Sequence, residues 1–314
     1  MRLSALAPLL VVCMLAISPL SSVDVDAQRM VLEPIAVVGH SNENASGWLA
    51  SAGGESYERI RGMVSLPNGS MVVGGMFEQS VEFHGDVIGY SSDDSSFGID
   101  FFLAWVDENG TWVDTKRETS WGLDGIDAMG RLSDGTILVA GTFCGMSKNY
   151  PCNMTLGTLE PLNKSADEHE NGVFLAAMTP FGGWLWATSY SNTYQMSVID
   201  LMVLSNDEIH LALLHRDSLA SGEDLAPGSL SEDSVAILML DAQGNHVSMT
   251  TVFSSQNLES TGSLCLDNAG HTYFATTFAE WVNFGEHDLY SVGGSNIAVG
   301  QYNAGGWLWA VGAG

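Results

Sequence analysis

Apolar residues fall along this chain in short runs separated by Asn, Asp and Gly, and the runs come in pairs. "IRGMVSLPNGSMVVGGMF" starts at Ile60, "IDAMGRLSDGTILVAGTF" at Ile126, "VIDLMVLSNDEIHLALLH" at Val198 and "TGSLCLDNAGHTYFATTF" at Thr261. Each reads as a strand, a polar turn and a second strand, here named A and B. The turns carry Asn68-Gly69, Asp134-Gly135, Asn206-Asp207 and Asn268-Ala269-Gly270. These residue types tolerate the positive φ of a tight hairpin. A second pair, strands C and D, follows each first pair. It reads "DFFLAWVDENGTWVDT" from Asp100, "GVFLAAMTPFGGWLWATSY" from Gly172, "SVAILMLDAQGNHVSMTTVF" from Ser234 and "SNIAVGQYNAGGWLWAVGAG" from Ser295. Trp112, Trp184 and Trp307 open strand D, and His246 replaces the tryptophan in the third copy.

The copies start about 60 to 70 residues apart, and none shows a helical period. Short strands between turn residues indicate an all-β protein. A four-stranded unit at a fixed period is the signature of a β-propeller. A β-sandwich, the rival architecture, predicts no such register. The expected fold has four full four-stranded blades, at about residues 60–116, 126–190, 198–253 and 260–313. Upstream, "EPIAVVGHSNENASGWLASAGG" from Glu33 to Gly54 matches the C–D pattern alone and reads as a two-stranded half blade. The set forms either a ring of four with an added hairpin or an incomplete ring of five or more. A half blade without its own A and B leaves an open sheet edge, which natural sheets avoid. The expectation is therefore a chain that is truncated or part of a longer protein, whose next residues supply those strands.

The repeat resembles the secreted bacterial and archaeal β-propeller proteins of the SBBP type. The matching residues are Asp134, Gly135, Val139, Gly141 and Phe143, then Asp100, Phe101, Leu103, Asp107 and Gly110. The resemblance covers most of residues 31–314 and implies a fold. The family's shared residues are structural, so it transfers no catalytic residue. The third copy departs most, since "LALLH" lacks the Gly and Phe of strand B.

Charge narrows the partners. The 314 residues include 37 acids against 10 bases, a formal charge of -27. Phosphate binding needs clustered Lys and Arg, so nucleic acid and anionic membrane surfaces are excluded. The first 27 residues read as a secretory signal peptide, with Arg2 ahead of an apolar run from Leu3 to about Leu20, and an uncleaved anchor is the competing reading, although the run is short for a span and contains Pro8 and Pro19. Residues 28–314 form the repeat domain, and the expected location is secreted or cell-surface.

In an exported protein, cysteines close in sequence pair. "CGMSKNYPC" predicts a disulfide between Cys144 and Cys152, and Cys265 reads as a buried, inert thiol.

The segments between strands B and C are long and function-bearing in kind. Three contain an extra apolar pair that predicts a small β-arm: "VEFHG" from Val81, "MTLG" from Met154 and "VNFG" from Val282. Acidic tips carry Asp93, Asp94, Asp167, Glu168, Glu223 and Asp224. They are candidates for weak calcium binding, although none fits an EF-hand loop. No spacing of His or Cys marks a transition-metal site, and no other cofactor is implied. Sequons stand at Asn44, Asn68, Asn109, Asn153 and Asn163. The tryptophans of strand D read as packing between blades, with sugar stacking as the alternative. No catalytic residue is assigned. The sequence therefore points to a non-catalytic propeller that recognises a protein or glycan. An extracellular carbohydrate-active enzyme and a structural segment of a larger surface protein are the competing classes.

Overall fold

The computed structural model describes residues 48–314 except 55, 90–98, 119, 121, 146–151, 165–170, 192–193, 195, 229–232 and 255–261. The leader, most of the half blade, Asn44, Asp93, Asp94, Asp167 and Glu168 lie outside the described residues.

The described chain is all strand and turn, arranged as several antiparallel sheets. The first unit contains β1 (Glu58–Ser65), β2 (Met71–Glu78), an arm of β3 (Ser80–Phe83) and β4 (Asp86–Gly89), then β5 (Ile99–Val106) and β6 (Trp112–Glu118). The second contains β7 (Leu123–Arg131), β8 (Ile137–Gly145), the arm β9 (Cys152–Met154) and β10 (Leu162–Lys164), β11 (Gly172–Met178) and β12 (Trp184–Tyr190). The third contains β13 (Ser197–Val203), β14 (Ile209–His215), the arm β15 (Leu219–Ser221) and β16 (Asp224–Ala226), β17 (Ser234–Leu240) and β18 (His246–Ser254). The fourth contains β19 (Gly262–Leu266), β20 (Thr272–Phe278), the arm β21 (Trp281–Phe284) and β22 (His287–Tyr290), β23 (Asn296–Asn303) and β24 (Gly306–Ala313). In every unit the four long strands pair in the order A-B-C-D, all antiparallel. The arms at Val81, Met154 and Val282 are present. A fourth, at Leu219, is too short and polar to stand out in the sequence.

Local chemistry explains the hairpins. Gly69, Gly110, Gly135, Gly182, Gly244 and Gly270 all turn with positive φ, as does Asp207 in the third unit. The strand A bulges explain another glycine. In the first and second units strand A skips one register step, after Ile60 and after Ile126. The kink pushes a carbonyl toward strand B. A Cβ on Gly75 or Gly141 would fall 1.9 Å from the carbonyl oxygen of Arg59 or Gly125.

The core lies between units. Phe101, Leu103 and Trp105 of the first unit bury against Ile126, Val139 and Phe174 of the second. Val173, Leu175 and Ala177 of the second bury against Leu201, Leu211 and Leu213 of the third. Val235, Ile237 and Met239 of the third bury against Leu264, Phe274 and Ala298 of the fourth. Each large side chain taken from water contributes about 1.5–3 kcal/mol, so these three seams hold the units together. Strand A of each unit lies beside strand A of the next, β1 by β7, β7 by β13 and β13 by β19. Among the described residues no strand pairing joins the fourth unit to the first, and no closed ring is defined.

Three of the four arms clasp backwards. β21 pairs with the end of β18, Met154 bridges to Ser120 just after β6, and Glu82 bridges to Gly53. Each contact joins an arm to the segment that ends the preceding unit. Against the first unit, residues 48–54 thus take the place of a preceding outer strand. Trp112 Nε1 donates to Ser51 O at 2.9 Å, and the Trp48 ring lies over Gly110.

Candidate binding site on the inner strands

Each bulge adds one residue to strand A whose side chain leaves the regular pleat. The bulged residues are Arg61 on β1, Asp127 on β7 and Ile199 on β13. β1 lies beside β7, so Arg61 and Asp127 meet across the first seam. Arg59 pairs with Met76, whose side chain reaches Gly125 of β7, and so it shares this side of the strand.

Asp127 is half-buried, and its Oδ2 is buried without a hydrogen-bond partner. Burial lifts its pKa to about 6, against the lowering fields of Arg61 and then Arg59. Both arginines are exposed. Among the described residues neither is ion-paired to Asp127. Arg59 lies over the Tyr57 ring at 5.8 Å, so the site offers two guanidinium forks without a salt bridge to Asp127 and one carboxylate oxygen with an unmade bond. At the next seam but one the same edge is closed, because Asp200 of β13 accepts from Ser263 Oγ at 3.0 Å and Leu264 N at 2.8 Å.

Asp124, three residues upstream, is different. It is fully buried and accepts from Ser120 N, Ser120 Oγ and Cys144 N. Burial raises it to about 7, and the hydrogen bonds from Ser120 and Cys144 oppose that rise. These contacts tie the end of β8, and the disulfide after it, to the head of β7. The disulfide itself joins Cys144 and Cys152 with Cα atoms 6.0 Å apart.

Similar ties occur at the head of strand C. Asn171 brackets Met196 through both backbone groups, and Arg216 pairs with Asp233. At the opposite end of the third seam, His210 Nδ1 lies 2.7 Å from Tyr302 OH, and Nε2 lies 2.8 Å from Glu208 Oε1. Burial lowers the His210 pKa while Glu208 raises it. Tyr302 is buried, so this group fastens two units and does not face a ligand.

The tryptophans that open strand D act as rivets. Trp184 Nε1 donates to Glu118 at 2.8 Å and Trp307 Nε1 to Thr251 O at 2.7 Å, as Trp112 does to Ser51. Each reaches the outer strand before its own unit. His246 instead bonds Ser221 and Asp224 of its own arm.

Of the acidic tips, only Glu223 and Asp224 lie within the described residues. Glu223 and Asp224 are adjacent, and Asp224 is engaged by His246. Among the described residues no group of three His, Cys, Asp or Glu side chains gathers around a metal-sized gap. Asn68 and Asn109 lie exposed in turns at one end of the units. Asn153 and Asn163 face each other directly across the arm of β9 and β10. Cys265 is a free thiol and half-buried, less enclosed than its apolar setting predicts. Arg59, Arg61 and Asp127 were not singled out in the sequence. Their signal is a charge inside an apolar strand A run, "RIRGM" and "GIDAM".

No protein family matches the chain, and no curated protein matches its sequence.

Proposed function

We propose that this chain is an exported β-propeller module of four full units and a leading half unit that recognises a protein or glycan partner without chemically transforming it. The partner is held at Arg59, Arg61 and Asp127. The succession of strands A in chain order supports the propeller reading, as does the place taken by residues 48–54. The Cys144–Cys152 bridge fits an oxidising compartment. The resemblance to SBBP-type repeats points the same way.

The observation that carries binding is the unmade hydrogen bond of Asp127 beside two exposed arginines, neither of which forms a salt bridge to it among the described residues. An Arg fork matches a carboxylate or sulfate in two-point contact, and Asp127 accepts from a hydroxyl or amide. Acidic sugars present both groups. Glycoside hydrolysis uses two working carboxyls. Asp124, the neighbouring acid, is buried and fully engaged, which favours recognition over hydrolysis.

Titration with oligogalacturonate, with a neutral glucan as control, tests this. Binding of the uronate that weakens with salt, and at least about tenfold on Arg59→Ala/Arg61→Ala, is expected. Equal binding of the glucan, or an unaffected double variant, refutes the assignment.

A further inference from the structure

Strand B ends on a phenylalanine in the first, second and fourth units and on a histidine in the third. Phe77, Phe143 and Phe278 sit opposite the head of strand C, and each is at most 2 % exposed. His215 takes the equivalent place, opposite Ser234, and is fully buried. By strand alternation it shares the face of Leu211 and Leu213, which bury against the second unit. Its Nδ1 lies 2.7 Å from the Asp217 carbonyl oxygen. A carbonyl only accepts, so in the neutral ring Nδ1 carries the proton and Nε2 keeps a bare lone pair. Nε2 is buried and has no hydrogen-bond partner. Such a group costs stability at a place where the repeat otherwise puts an apolar ring.

We propose that His215 is an acid-released latch on the arm of β15 and β16. The arm follows directly on β14, and its root is stapled twice, by His215 to the Asp217 carbonyl and by Arg216 to Asp233. Leu219 and Ala226 of the arm are buried in the same apolar cluster as Leu211 and Leu213. The charged groups around the imidazole come from both flanks. Asp217 follows its own strand, Asp233 leads into β17, and the fields of both favour an imidazolium. Arg216 is tied to Asp233. Ser197 and Val198 of β13 and Val173 of β11 are uncharged. Tyr190 of β12 bonds Ser221 of the arm and stays neutral, because burial raises its pKa. At the arm's tip stand Glu223 and Asp224, and Asp224 is held by His246. Burial outweighs these fields and lowers the His215 pKa from 6.5. The neutral ring is therefore the native form. The stability tied to it is present above 6.5 and is lost as pH falls through the folded value. A proton taken up by Nε2 finds no acceptor in place, so the charge is relieved only where the ring reaches water. Moving there breaks the contact to Asp217, frees the root of the arm and draws Leu219 and Ala226 out of the seam.

Hydrogen–deuterium exchange of the full chain at pH 7.5 and pH 5, corrected for intrinsic rates, tests the inference. Peptides from the arm of β15 and β16 should exchange at least about tenfold faster at pH 5. The arm of β9 and β10, which contains no histidine, is the reference and should not respond. His215→Phe restores the residue of the other units and should abolish the response. His246→Gln removes the histidine that holds the tip and should leave the response in place. Retention of the wild-type circular dichroism spectrum at pH 7.5 shows that each variant is folded. His215→Leu takes the place of His215→Phe should the larger ring prevent folding. An arm equally protected at both pH values overturns the proposal. So does a response that survives in His215→Phe or disappears in His246→Gln.

Discussion

Asp127→Asn is expected to stabilise the protein at pH 8 and to leave it nearly unchanged at pH 4. The carboxyl is held at about 6 instead of 3.8, mainly because it is buried. A raised folded value means that the native state binds the proton more tightly than the unfolded chain. The resulting stability is full below about 3.8 and is lost as pH rises through about 6. The difference corresponds to about 3 kcal/mol, at about 1.36 kcal/mol for each unit of pH. Asp127 keeps some contact with water, and the amide brings an N–H group that needs its own partner. A gain of about 1–2 kcal/mol at pH 8 is therefore expected. Urea unfolding followed by tryptophan fluorescence at both pH values measures it, with the midpoint moving and the slope unchanged. A variant no more stable than wild type at pH 8 refutes the reasoning, as does one stabilised equally at pH 4. The same substitution should weaken uronate binding, since a group that costs stability at a binding site is retained for its contacts.

Two further substitutions probe the scaffold. Replacing Cys144 and Cys152 together by Ala opens a loop with a sequence separation of 8 and should cost about 2–3 kcal/mol in the same urea assay, whereas a loss well under about 1 kcal/mol would contradict the cross-link. Gly300→Ala would place a Cβ 2.7 Å from the Trp307 ring and 2.9 Å from Phe284, and should cost about 1–3 kcal/mol; an unchanged unfolding midpoint would show that the rivet is loose.

The strands were legible because their signals are local. Period-two apolar runs and Asn-Gly or Asp-Gly turns depend on neighbours a few residues away, so Ile60, Ile126 and Val198 mark equivalent strands in the sequence alone. The spacing of Cys144 and Cys152 likewise carried its own geometry. The arm of β15 and β16 escaped notice because "LASGEDLA" has no apolar alternation strong enough to mark it. The half-buried state of Cys265 was equally hidden, since its exposure depends on what packs against the fourth unit and not on the strand around it.

The sequence by itself determined the all-β class, the four repeated strand quartets and the cysteine pair, because hydrogen-bonded hairpins are written in adjacent residues. Only the tertiary structure decided which charges meet. Arg61 and Asp127 come from different units, and His210 finds Tyr302 across 92 residues. It also decided that the Trp184 and Trp307 indoles fasten neighbouring strands, and that His215 is fully buried. Such facts depend on how units stack, and stacking is set by the summed fit of many side chains distant in sequence, which no short stretch records.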